Sequence, residues 1–168
     1  MKIRNGFVSN SSSSSFVVAF PKKPESAEEV QEIMFGNTEC EAFDCYDYET
    51  TTTEIAEQVF KDIKKATIKD MAESLSHGWF SGRVDSWEKT RDLSWQNPKD
   101  RKKIDKIWKD CDEANEKIAG NIIKKFRKDN KGSFFAVFHY GDSDGEFFCI
   151  MEHGGIFDSL ENIQTSYH

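Results

Sequence analysis

The residues best suited to chemistry gather in the last third of the chain: His139, Asp142, Asp144, Glu146, Glu152 and His153, with His168 at its end. Closely spaced carboxylates are hard oxygen donors for a divalent cation, and a histidine beside a carboxylate supplies a general acid and base near neutral pH. Gly141-Asp142-Ser143-Asp144-Gly145 separates two apolar, Phe-rich runs, 133–140 and 146–153. Asp-Gly between such runs signals a β-hairpin, because Gly accepts the positive φ that a tight turn needs. With Asp144-Gly145 as the turn, strand alternation sets His139 opposite Ile150 and diagonal to Glu152, with His153 on the other face. Asp142, Asp144 and Glu146 are then metal candidates, and His139, Glu152, His153 and His168 are candidate acid–base groups. A divalent metal is the one cofactor this pattern admits. Asp-Ser-Asp-Gly also serves a turn through local hydrogen bonds alone. It lacks the third acidic position and the bidentate Glu of a calcium loop.

A second candidate is the run Ser11, Ser12, Ser13, Ser14 and Ser15, which leads into the apolar stretch 16–20. Its hydroxyls, helped by backbone amides, could receive a phosphate or carboxylate. No phosphate-loop or nucleophile-elbow spacing accompanies them. The favoured reading is structural: small residues whose hydroxyls satisfy a buried turn at the entry to a strand. Trp79, Trp87 and Trp95 recur every eight residues in an irregular stretch, 76–97. They could stack on bases, but rings of this size more often pin such a stretch to the core, and that is the expectation here.

These residues need elements to hold them. A chain of 168 residues with 14 Phe and 4 Trp can bury a core as a single domain, 1–168. Residues 16–20 read as a buried strand stopped by Pro21 and Pro24. Ser26 with Glu29 marks a helix to about Phe35. Thr51 with Glu54 marks another, with Ile55, Val59, Phe60, Ile63, Ala66 and Thr67 on one face, continuing toward Met71 and Leu75. Periodicity does not decide 39–49. Asn97-Pro98 starts the longest helix, whose stripe of Ile104, Ile107, Trp108, Cys111, Ala114, Ile118, Ile122 and Phe126 runs to about Asp129. The hairpin follows, then a packed tail. Together these give an α+β fold: a small, mostly antiparallel sheet, made of the N-terminal strand and the C-terminal hairpin, with two to four helices on one face.

The net charge of −7 sets the surface against duplex nucleic acid unless basic residues gather. They gather in 98–131, with twelve Lys/Arg against seven Asp/Glu. Nucleic-acid binding through this helix is a lesser reading, and a solvated face is preferred. Cys40, Cys45, Cys111 and Cys149 match no zinc or redox spacing. Cys111 and Cys149 read as buried free thiols. No apolar stretch is long enough for a membrane span, and no signal-peptide core follows Lys2 and Arg4. The expectation is a cytoplasmic protein with its thiols reduced.

The opening block Arg4-x-Gly6-Phe7-Val8-Ser9-Asn10, Ser11 to Ser15, then Phe16, resembles the start of a family of uncharacterised proteins from bacteriophages and some bacteria. The stretch from Tyr140 to Glu146, Glu152-His153-Gly154 and a terminal His are also similar to that family, although Tyr167-His168 stands where a His-His pair is expected. The resemblance implies a phage or bacterial origin and no established activity. It suggests that the two ends meet in one polar site. Two functions follow as expectations. The first is a small accessory protein that binds a macromolecule, a host or phage protein, and is directed at a host factor. The alternative is a metal-assisted hydrolase or nucleotide-processing enzyme built on the serine run, the acidic turn and the histidines. The sequence leaves the oligomeric state open.

Overall fold

The computed structural model describes residues 13–36, 41–45, 48–141 and 145–166. In chain order the elements are β1 (Ser13–Phe20), α1 (Ala27–Phe35), β2 (Glu41–Cys45), β3 (Tyr48–Thr51), α2 (Thr52–Asp62), α3 (Ile68–His77), α4 (Trp87–Thr90), α5 (Pro98–Asp129), β4 (Phe134–Gly141), α6 (Glu146–His153) and β5 (Glu161–Ser166). The expected α+β class holds. A three-stranded antiparallel sheet has the order β4-β1-β5, and β2 pairs with β3 in a separate two-stranded ribbon.

β1 is the central strand, and every residue from Ser14 to Phe20 is buried. Alternation sends Phe16, Val18 and Phe20 to one face and Val17 and Ala19 to the other. The first set packs with Val30 and Met34 of α1, Ile55 and Val59 of α2, Phe138 of β4, Ile150 and Met151 of α6, and Phe157. The second meets Met71 and Leu75 of α3, Ala119 and Ile123 of α5, and Phe135. Helices therefore cover both faces, not one. The continuously apolar run 16–20 is the mark of a strand buried on both sides. Six helices occur among the described residues, more than the two to four expected.

The C-terminal hairpin does not form. Its first arm is β4, but 146–153 is helix α6, and the third strand comes from the tail as β5. A short apolar run such as Phe147-Phe148-Cys149-Ile150-Met151 has no period to separate strand from helix. Gly145 does take the positive φ that the Asp-Gly signal asked for, at +117°. It uses it to open a helix, with its carbonyl accepting from the Cys149 N–H at 3.1 Å.

The helix expected from Glu54 toward Leu75 is also two. Thr67 Oγ1 accepts from the Asp70 N–H at 3.2 Å, and the Asp70 carboxylate accepts from the Thr67 N–H at 2.8 Å, a second capping box that restarts the chain as α3. The break frees the Ala66 N–H to donate to the Phe135 carbonyl at 2.9 Å, along the outer edge of β4. At the far end of α3 the Trp79 N–H donates to the Ser166 carbonyl at 2.8 Å, along the outer edge of β5. α3 thus crosses one sheet face from edge to edge.

Candidate functional site

Ser11, Ser12, Asp142, Asp144 and His168 lie outside the described residues. Of the rest, the serine run is the start of β1, and alternation divides it. Ser14 sits between Tyr140 and Ser166, and Ser15 between His139 and Thr165. Ser14 faces α6, where its hydroxyl donates to Glu152 Oε1 at 3.2 Å. Ser15 faces α3, where its hydroxyl meets His139 Nδ1 at 2.5 Å. The sequence-expected pairing of His139 with Glu152 is therefore broken, because the sheet stands between them. The cause is the helical form of 146–153, which brings Glu152 onto the face opposite His139.

Glu152 is fully buried, and its Oε2 lies 3.5 Å from Nε2 of the half-exposed His153. Glu146 is exposed in the first turn of α6. Tyr140 donates to Asp62 Oδ2 at 3.4 Å; burial, and then the Asp62 charge, push its phenol far above the ordinary range. It stays protonated. Among the described residues no group of three or more His, Cys, Asp or Glu side chains is placed to hold a metal ion. Cys149, expected as a free thiol, is disulfide-bonded, whereas Cys111 is free and buried. Linear spacing carries no information on such an approach.

His139 lines a cleft of about 420 Å³ between the outer end of β4, the link 64–66 and α3. Lys64, Lys65, Asp70, Glu73 and His77 complete its charged wall. Asp70 is committed to its capping box, which lowers its pKa chiefly through the Thr67 N–H. His77 Nδ1 is held by the Glu73 carbonyl at 2.7 Å. Ser15 is buried beneath the cleft and does not line it, so its hydroxyl cannot meet a substrate there. The Ser15–His139 pair resembles a nucleophile and its base in distance alone.

Burial lowers the pKa of His139 and keeps the ring neutral. With its proton on Nε2, Nδ1 accepts from Ser15. Because the folded pKa lies below the unfolded one, the stabilisation is complete above the ordinary histidine range. It fades as the pH falls through that range and the folded pKa. Urea unfolding at several pH values should show a small loss of stability on acidification that His139→Gln flattens. An unchanged slope in His139→Gln would remove this residue from the account.

The larger departure concerns the tryptophans. All four are exposed, Trp79 by 52%, Trp87 by 71%, Trp95 by 49% and Trp108 by 47%, whereas the sequence suggested that the first three pin 76–97 to the core and that Trp108 belongs to the apolar stripe of α5. Other groups do the pinning. Buried Asn115 of α5 accepts from the Val84 N–H at 2.8 Å and donates to the Val84 carbonyl at 3.2 Å. Arg83 donates to the Gly78 and His77 carbonyls at 2.6 and 3.2 Å, with its guanidinium 5.3 Å from the Trp79 ring centre. Lys89 reaches Cys111 Sγ at 3.7 Å. The Asn97 side chain caps α5 by accepting from the Lys99 N–H at 3.0 Å. Trp95 and Trp108 meet edge to face at 5.3 Å. The stretch is thus tied down through polar groups, and the indoles stand outside. Asn115 was the readable signal: a polar residue on the apolar stripe of α5.

No helix among the described residues is long and apolar enough to cross a membrane. No family model matches the chain, and comparison with the curated proteins and with the solved structures finds no match.

Proposed function

We propose that this protein acts by binding another macromolecule through the tryptophan-bearing surface of residues 79–95 and α5. The observation that carries the reading is the exposure of all four indoles, three on a stretch held by buried Asn115 and the fourth, Trp108, on α5. A Trp side chain is among the largest apolar surfaces a chain can bury, and folding leaves these in water. Trp and Arg are also the residues that dominate binding energy when a partner covers them. The resemblance of the opening block supports a phage or bacterial origin, and for a phage protein the partner would be a host factor.

Oxidative labelling of the indoles tests this. In an extract of the host, Trp87, Trp95 and Trp108 should be protected relative to buffer, while exposed Ile68, on α3, keeps its labelling. Equal labelling of the indoles in extract and buffer would sink the reading.

A further inference from the structure

We propose that Trp87, Trp95 and Trp108, with the cationic side chains at the start of α5, bind single-stranded nucleic acid; the inference rests on the binding reading above. Residues 87–109 carry eight Lys/Arg and four Asp/Glu, in a chain with a net charge of −7. This stretch is therefore a local positive region on an otherwise acidic protein, and it complements a polyanion. Lys99, Arg101, Lys102, Lys103, Lys106 and Lys109 are all exposed. At about 100° per residue, Arg101 lies on the same stripe of α5 as Trp108, with Lys102 and Lys109 about a third of a turn to one side.

The partner class follows from how rings and charges are mixed. Protein–protein interfaces are enriched in Trp and Arg but depleted in Lys. Here six of the eight cations are Lys. Lys beside open indoles suits a phosphate backbone whose bases lie against aromatic faces. In the edge-to-face pair of Trp95 and Trp108, the ring that presents its edge keeps both faces clear of its neighbour. A duplex keeps its base faces stacked inside, whereas a single strand can offer them. Stacking of this kind accepts any base, so the surface should bind with little sequence preference.

Native tryptophan fluorescence reads the contact directly. Oligothymidine of about 20 nucleotides should quench it at low salt. A duplex of equal length should bind more weakly, and polyphosphate should bind without quenching. Trp87→Ala and Trp108→Ala should each lower affinity roughly five- to a hundred-fold, as loss of one stacked base does. Lys102→Glu with Lys109→Glu should weaken binding and flatten its salt dependence. With about four phosphates neutralised, affinity should fall roughly fifty-fold from 50 to 200 mM salt. Circular dichroism of each variant separates lost binding from lost folding, and Trp87, the most exposed ring, is the safest to remove. Equal binding of oligothymidine and polyphosphate, unaffected by Trp87→Ala, would overturn the stacking. Absence of oligothymidine binding while the indoles remain protected in extract by a protein would overturn the partner and leave the broader reading standing. Absence of both would end the two together.

Discussion

Phe138→Ala is expected to remove about 3–5 kcal/mol of stability, the usual loss for a fully buried Phe. Phe138 lies on β4 directly opposite Phe16 of the central strand. Its ring stacks on Phe157 at 4.9 Å and on Tyr140 at 6.0 Å, and meets Phe20 at 6.3 Å. Truncation would open a hole lined by aromatic rings on three sides. Strand pairing holds Phe16 and Phe20 in register, so the walls can close only in part. Domains are stable by about 5–15 kcal/mol in all, so the variant should be marginal. A fall in Tm of roughly 6–20 °C is expected, at about 2–4 °C per kcal/mol for a chain of this size. Phe138→Leu should lose much less. A change below about 1 kcal/mol for Phe138→Ala in urea unfolding would mean that the cluster does not hold the sheet face as described.

Gly78→Ala is expected to be the next most damaging change, at about 1–3 kcal/mol for an overfilled contact. Backbone conformation is not the reason, since Gly78 has φ −91° and ψ 177°, open to any residue. The reason is space. A Cβ here would stand 2.5 Å from Thr165 Cβ and 2.6 Å from Thr165 Oγ1. Thr165 is buried on β5, and the adjacent Trp79–Ser166 hydrogen bond fixes the gap at 2.8 Å. The end of α3 must lift, or β5 must shift. Thr165→Gly removes the opposing Cβ, so the double variant should recover about 1 kcal/mol or more relative to the sum of the single changes. Additive losses would show that the two backbones are not in contact.

What the sequence revealed and what it hid follow from how local each signal is. Asn97-Pro98 and the Thr51/Glu54 box were readable because a cap and its partner lie within three residues of each other. The strand 16–20 was readable from its apolar run between Ser15 and Pro21. The fate of 146–153 was not, because an all-apolar run satisfies either element, and β5 decides by pairing with a strand more than 140 residues away. The candidate site failed at the same link. The serine run was read as a turn ahead of the strand, whereas Ser13 to Ser15 belong to β1 itself, and which face each hydroxyl would share with which histidine or carboxylate depended on α6 being a helix. The tryptophans were misjudged because ring size suggests burial, while Asn115 and Arg83 had taken over the anchoring.

The path of α3 also sets a limit on the sheet. Its ten residues span roughly 15 Å. From Lys65 to Trp79 there are five backbone lines across three strands and two single bridges, or about 19 Å at normal strand spacing. Helix and sheet are matched in width, with little slack in the short links between them. The same helix therefore acts as a gauge: it admits three strands and places backbone over both outer rims, where a fourth strand or another chain would otherwise pair. Inserting one residue into α3 would lengthen it by only about 1.5 Å but turn one tie by about 100° relative to the other. One rim would then lose its cover.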